Sequence, residues 1–148
     1  MEGIQGAVLG VKLKYIDKWT NERRRVAQKY REVLGNHERI TLPKELVGNK
    51  HVYHLYVIRI NTNDQQKNQK LRDNLQSYLQ ENKISTGLHY PVPLHLQNCF
   101  NHLGYKRGDF PETEKLAESG LSLPIFPELS DNQIEYVAEK IMSFFKKN

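Results

Sequence analysis

The chain has 148 residues, of which 38% are hydrophobic, 26% charged and 9% aromatic, a balance that fits one globular domain with a core and excludes a disordered tail. No stretch approaches the roughly 18 apolar residues of a membrane span, and the first residues lack the basic-then-apolar layout of a secretory signal. Cys99, the single cysteine, permits no internal disulfide; it reads as an inert, buried or half-buried thiol, and a cytoplasmic setting is expected.

The formal charge of +5 is concentrated in one segment. Between Lys12 and Arg31 stand eight basic residues against Asp17 and Glu22, an excess larger than that of the whole chain. No aromatic platform or groove-reading motif accompanies it, so it reads as a solvated helix face, and no nucleic-acid or membrane partner is expected. A non-catalytic basic binding or dimerisation module remains the alternative.

In chain order, the first predicted element is one long helix from Ile4 to Leu34, free of proline, ending near Gly35 and Asn36. Ile4, Val8, Val11, Tyr15, Trp19, Val26, Tyr30 and Val33 recur at mostly three- and four-residue steps. Leu9, Leu13 and Ile16 add a second stripe to its first half, which is therefore apolar on more than one side. Each such side chain left in water forfeits roughly 1.5–3 kcal/mol, and the sum is comparable with the roughly 5–15 kcal/mol that holds a domain together. The helix is expected to dock on protein beyond this chain, with packing in a homodimer as the alternative. It also opens without a capping residue, as an interrupted domain would.

His51 to Ile60 reads as a strand, nearly continuous in β-branched and aromatic residues and so buried on both faces. Asn63 and Asp64 offer a helix start, and Leu71, Leu75, Tyr78 and Leu79 supply one face up to about Asn82. A second strand, Ile84 to Leu88, runs into His89-Tyr90-Pro91-Val92-Pro93, a loop stiffened by its prolines. A short helix spans Leu94 to Leu103 with Gly104 to close it, and another starts at Pro111 and stops at Gly120. Leu121 to Leu123 is a brief strand, and Ser130 to Gln133 form a capping box for a last helix with Ile134, Val137, Ala138, Ile141 and Phe145 facing inward. The order predicts an α/β fold, a few-stranded sheet with helices on one face, preceded by a long helix.

Metal and nucleophile chemistry find little support. His51 and His54 would point to opposite faces of a strand, and His89 and His95 lack carboxylate or thiolate company. Ser122 lies in Leu-Ser-Leu-Pro without the glycines of a strained elbow, and no glycine-rich phosphate loop is present. The stretch that stands out is Thr86 to His95. It mounts His89 and Tyr90 at a strand end on a stiff backbone, where they can donate hydrogen bonds to phosphate or sugar oxygens or else pack against neighbouring helices.

Several separated motifs agree on one family. Met1 to Leu9, Lys12 to Trp19 and Arg23 to Tyr30, then His54 to Arg59, His89 to His95, Gly108 to Glu114 and Leu121 to Leu129 together resemble the DegT/DnrJ/EryC1/StrS sugar aminotransferases. The resemblance implies the small carboxy-terminal domain of a fold-type-I transferase dependent on pyridoxal 5'-phosphate, residues 36–148, reached by a long interdomain helix, residues 1–35. A large cofactor-binding domain would be absent. It implies transfer of an amino group from glutamate or glutamine to a nucleotide-linked keto-sugar, in a cytoplasmic homodimer. A sugar dehydratase dependent on pyridoxamine phosphate is the alternative within the family. The Schiff-base lysine and the acidic partner of the pyridine nitrogen belong to the large domain, so no catalytic or cofactor-binding residue is assigned and this chain alone is expected to be inactive. His89 and Tyr90 match positions that in relatives lie near the sugar or its diphosphate.

Overall fold

A computed structural model describes residues 2–35, 37–62 and 65–147. Asn36 of the predicted helix stop and the predicted helix start at Asn63 and Asp64 lie outside the described residues. The first helical stretch is two helices, α1 (Gly3–Leu13) and α2 (Ile16–Leu34). The expected single helix divides because α1 closes its last turn with three-residue hydrogen bonds, Lys14 N–H to Val11 O at 3.3 Å and Tyr15 N–H to Lys12 O at 3.0 Å. The Trp19 N–H to Tyr15 O bond then opens α2, and the Tyr15 and Trp19 rings stack 5.8 Å apart across that first turn. Contrary to the sequence expectation, α1 has its own start: Gln5 Oε1 accepts the Glu2 N–H at 3.2 Å.

No residue of α1 is buried, whereas α2 buries Val26, Ala27, Tyr30 and Leu34. Ile4 is 81% exposed, Leu13 66% and Val11 59%. The two-sided apolar character of the front helix therefore finds no cover among the described residues.

Three antiparallel strands, β1 (Ile40–Thr41), β2 (Tyr56–Ile60) and β3 (Gly120–Leu123), form a sheet in that order. The strand predicted from His51 begins only at Tyr56, because Tyr53 takes a left-handed backbone, φ 48°, that ends any extended run. Contacts from several sides hold Tyr53 there: its N–H donates to His51 Nδ1 at 2.8 Å, its hydroxyl accepts from Arg31 at 3.2 Å, and its ring packs on His51 and Tyr56. Burial along β2 alternates, with Tyr56, Ile58 and Ile60 buried and Val57 and Arg59 partly exposed, in place of the expected burial on both faces. The predicted strand Ile84 to Leu88 reduces to one bridge between Gly87 and Ser122. β1, two residues long, has no counterpart in the sequence reading.

The inner face of the sheet packs with α2, α3 (Gln65–Glu81) and α5 (Asp131–Lys147) into one core that includes Leu75, Leu79, Ile134, Ile141 and Phe145. α3 ends in a six-to-one bond from Ile84 N–H to Leu79 O at 2.9 Å, with Lys83 in the left-handed position at φ 64°. α4 (Pro111–Ser119) starts on its proline, as predicted, and its end is capped by Arg72 of α3, whose buried guanidinium donates to Ala117 O at 3.0 Å and Gly120 O at 3.3 Å. α5 carries the predicted capping box, with Gln133 N–H donating to Ser130 Oγ and Ser130 N–H to Gln133 Oε1. Residues Leu94 to Leu103 form two 3-10 segments closed by Gly104 at φ 75°. Cys99, expected buried or half-buried, is exposed on the second of them.

The basic segment is taken up largely by the fold. Arg23 donates to Ile125 O at 2.9 Å, Arg25 pairs with Asp131 at 2.5 Å, and Lys29 pairs with Glu135 at 2.8 Å. Arg24 forks onto Glu45 at 2.5 and 3.1 Å while donating to His51 O at 2.7 Å. These arginines clasp the loops before β2 and α5 to α2.

The fork from Arg24, helped by the His51 N–H, holds the Glu45 carboxyl at about 2, against 4.5 for the free group. A carboxyl that titrates lower when folded adds stability above its unfolded value and loses it as pH falls through the folded one. Glu45→Gln is therefore expected to flatten the dependence of the urea midpoint on pH between 4.5 and about 2. An acid limb of unchanged slope would show that the pair does not couple to folding.

Candidate functional site

The His89–Tyr90 loop is fastened to the sheet through Ser122. Gly87 and Ser122 exchange backbone hydrogen bonds at 3.1 and 2.8 Å, and His89 Nδ1 lies 2.9 Å from Ser122 Oγ. Sequence reasoning considered Ser122 only as a nucleophile and set it aside; its place is that of an anchor for the imidazole. Gly87 makes room for the arrangement, since a Cβ there would stand 2.8 Å from His89 Cε1. With Nδ1 engaged, His89 Nε2 has no hydrogen-bond partner among the described residues and is free for a ligand.

Tyr90 meets His89 edge to face, ring centroids 5.4 Å apart, and is 71% exposed. The two predicted site residues therefore sit side by side. One is oriented by the sheet and the other projects into solvent.

A second constellation went unread in the sequence. His95 and Glu114, both buried, meet at 3.0 Å, and Glu114 also accepts from Gly108 N–H at 2.8 Å and Phe110 N–H at 3.4 Å. Burial pushes the Glu114 carboxyl up, but these donors, Gly108 first, outweigh it and hold the group below the usual carboxylate range. Phe110 packs on His95 at 4.9 Å and Tyr105 on Phe110 at 5.0 Å. The carboxylate thus ties the far end of the proline loop to the turn that precedes α4. Of the histidines weighed and set aside as metal ligands, His51 lies in the loop before β2 with its Nδ1 accepting from Tyr53 N–H, and His54 is exposed.

Gly87→Ala and Ser122→Ala are expected to release the His89 ring by different routes, one by crowding and one by losing its partner. The two variants should move the His89 imidazole nitrogen resonances in NMR spectra in the same direction. Resonances unchanged in both would show that the ring is not held from Ser122.

Residues 1–142 match the model of the DegT/DnrJ/EryC1/StrS aminotransferase family. The chain is 43% identical over 148 residues to the pleiotropic regulatory protein of Geobacillus stearothermophilus, covering 99% of this chain and 37% of that protein. It is 34% identical to the dTDP-3-amino-3,6-dideoxy-alpha-D-galactopyranose transaminase of Aneurinibacillus thermoaerophilus, over 95% of this chain and 36% of the relative. Among solved structures it superimposes on S. venezuelae DesV, in complex with a ketimine intermediate, with a TM-score of 0.84 and 32% identity, covering 95% of this chain and 35% of DesV. An aminotransferase from Brucella abortus gives a TM-score of 0.82 at 31% identity, over 97% of this chain and 36% of that one. The chain therefore spans little more than a third of the length of the relatives it matches. Motifs, fold and matched length agree: this chain belongs to the DegT/DnrJ/EryC1/StrS aminotransferase family.

Proposed function

We propose that this chain works as the small, substrate-closing part of a nucleotide-sugar aminotransferase, moving an amino group from glutamate or glutamine to a keto-sugar carried on a nucleoside diphosphate. The observation that carries the reading is the open apolar face of α1, unburied here along its whole length, in a chain that spans about a third of its relatives. The portion of those relatives outside the match is the natural cover for that face. A relative named as a dTDP-sugar transaminase supports the substrate class.

In this reading His89 Nε2 and the Tyr90 hydroxyl donate to sugar or phosphate oxygens, with Ser122 fixing the imidazole so that little freedom is lost on binding. Residues 1–35 join this part to a larger one and residues 36–148 form the closing domain. Pyridoxal 5'-phosphate, when bound, supplies the electron sink that lets nitrogen change carriers. Among the described residues, no lysine is a hydrogen-bond or ring partner of His89 or Tyr90, so the reading places no cofactor there. The lysine and the cofactor are assigned to the larger part, in a cytoplasmic homodimer.

The 148-residue polypeptide mixed with pyridoxal 5'-phosphate is expected to develop no Schiff-base absorbance beyond that of free lysines, and to transfer no nitrogen from glutamate to a nucleotide-linked keto-sugar. Turnover by this polypeptide alone would overturn the assignment of the lysine elsewhere.

A further inference from the structure

The outer face of the sheet holds a second group of residues with no part in the reading above. Strand alternation puts Val57 and Arg59 of β2 on the face away from the core. Arg59 is paired in register with Thr41 on one side and Gly120 on the other. Gly120 offers no side chain to cover it, and a Cβ there would stand 3.4 Å from Val57 Cγ1 and 2.6 Å from Leu116 O. The result is a groove of about 450 Å³ lined by Thr41, Leu42, Pro43, Lys44, Val57, Arg59 and Leu116.

Arg23, Arg24, Arg25 and Arg72 are each committed to a carbonyl or carboxylate, but Arg59 is half-buried and, among the described residues, its side chain has no hydrogen-bond or ion-pair partner. The acidic residue that feels it, Glu112, is engaged at 2.8 Å by Lys115, which dominates the lowering of the Glu112 carboxyl; Arg59 contributes last. A half-buried guanidinium whose fork makes no hydrogen bond has donors to offer, and that planar fork matches a carboxylate in two parallel hydrogen bonds. Lys44 adds a second positive charge at the rim, while Leu42, Pro43, Val57 and Leu116 give an apolar floor. Phosphate sites draw on clustered backbone N–H groups at glycine-rich turns or helix starts. Neither lines this groove, and Pro43 has no N–H to give.

We propose that this groove binds an organic carboxylate bearing a short apolar group, the carboxylate on Arg59 and the apolar group over Val57 and Leu116. The site does not depend on the sugar-transfer reading, since none of its lining residues belongs to the His89–Tyr90 loop.

Hexanoate titrated into the 148-residue chain is expected to give saturable NMR shifts at the Arg59 Nε–H and at the Val57 and Leu116 amides. Hexanol, equal in length but uncharged, and inorganic phosphate, charged but without an apolar group, should each bind about tenfold more weakly or not at all. Arg59→Gln should weaken hexanoate about tenfold, and Lys44→Gln, which leaves the sheet untouched, by a smaller factor in the same direction. The proposal fails if hexanol matches hexanoate, if phosphate binds more tightly, if no shift saturates, or if neither substitution changes the affinity.

Discussion

Apolar surface that has nowhere to go in the chain is the constraint on which the rest of this structure turns. The inner sheet face, α2, α3 and α5 solve it among themselves, with Tyr30, Tyr56, Ile58, Leu79, Ile134 and Ile141 essentially closed to water. α1 does not. Its large apolar side chains remain 49–81% exposed, at a cost that approaches the roughly 5–15 kcal/mol net stability of an ordinary domain. α1 holds its own start through Gln5, yet none of its described residues is buried.

The period of two along β2 does the second piece of work. By sending Tyr56, Ile58 and Ile60 inward it builds the core, and by the same geometry it leaves Val57 and Arg59 outward. Ser122, paired in register with Val57, shares that outward face, and through it the sheet orients His89. Core and candidate site are thus two sides of one strand pattern, so a register slip of one residue would destroy both. The arginines of α2 support this indirectly, since Arg23, donating to Tyr53 O and His54 O, and Arg24, donating to His51 O, clamp the loop that delivers the chain into β2.

Elements whose signals are local were legible in the sequence. α4 starts at its proline, α5 starts at the Ser130 and Gln133 box, and α3 ends where Asn82 was expected to close it. Elements set by distant partners were not. Tyr53 is held in its left-handed backbone by Arg31 and by ring contacts, which no window of sequence around His51 reveals. β1 exists because Ile40 and Thr41 lie against Ile60 and Arg59, and two residues carry no periodicity to detect. The division of the first helix at Lys14 is likewise invisible, since neither glycine nor proline marks it. Of the candidate site, His89 and Tyr90 stood out through the proline loop and the family likeness. Glu114 did not, because its partners His95 and Gly108 are separated from it by stretches of chain that only the fold brings together.

Native-state hydrogen exchange on the 148-residue chain tests the central claim most directly, because it reads helix by helix whether backbone is covered. The account predicts that α1 amides, with no tertiary packing over them, exchange orders of magnitude faster than those of Val26 to Leu34 in α2. Protection of α1 equal to that of α2 would mean that the front helix finds its cover within this chain, and the account would be wrong.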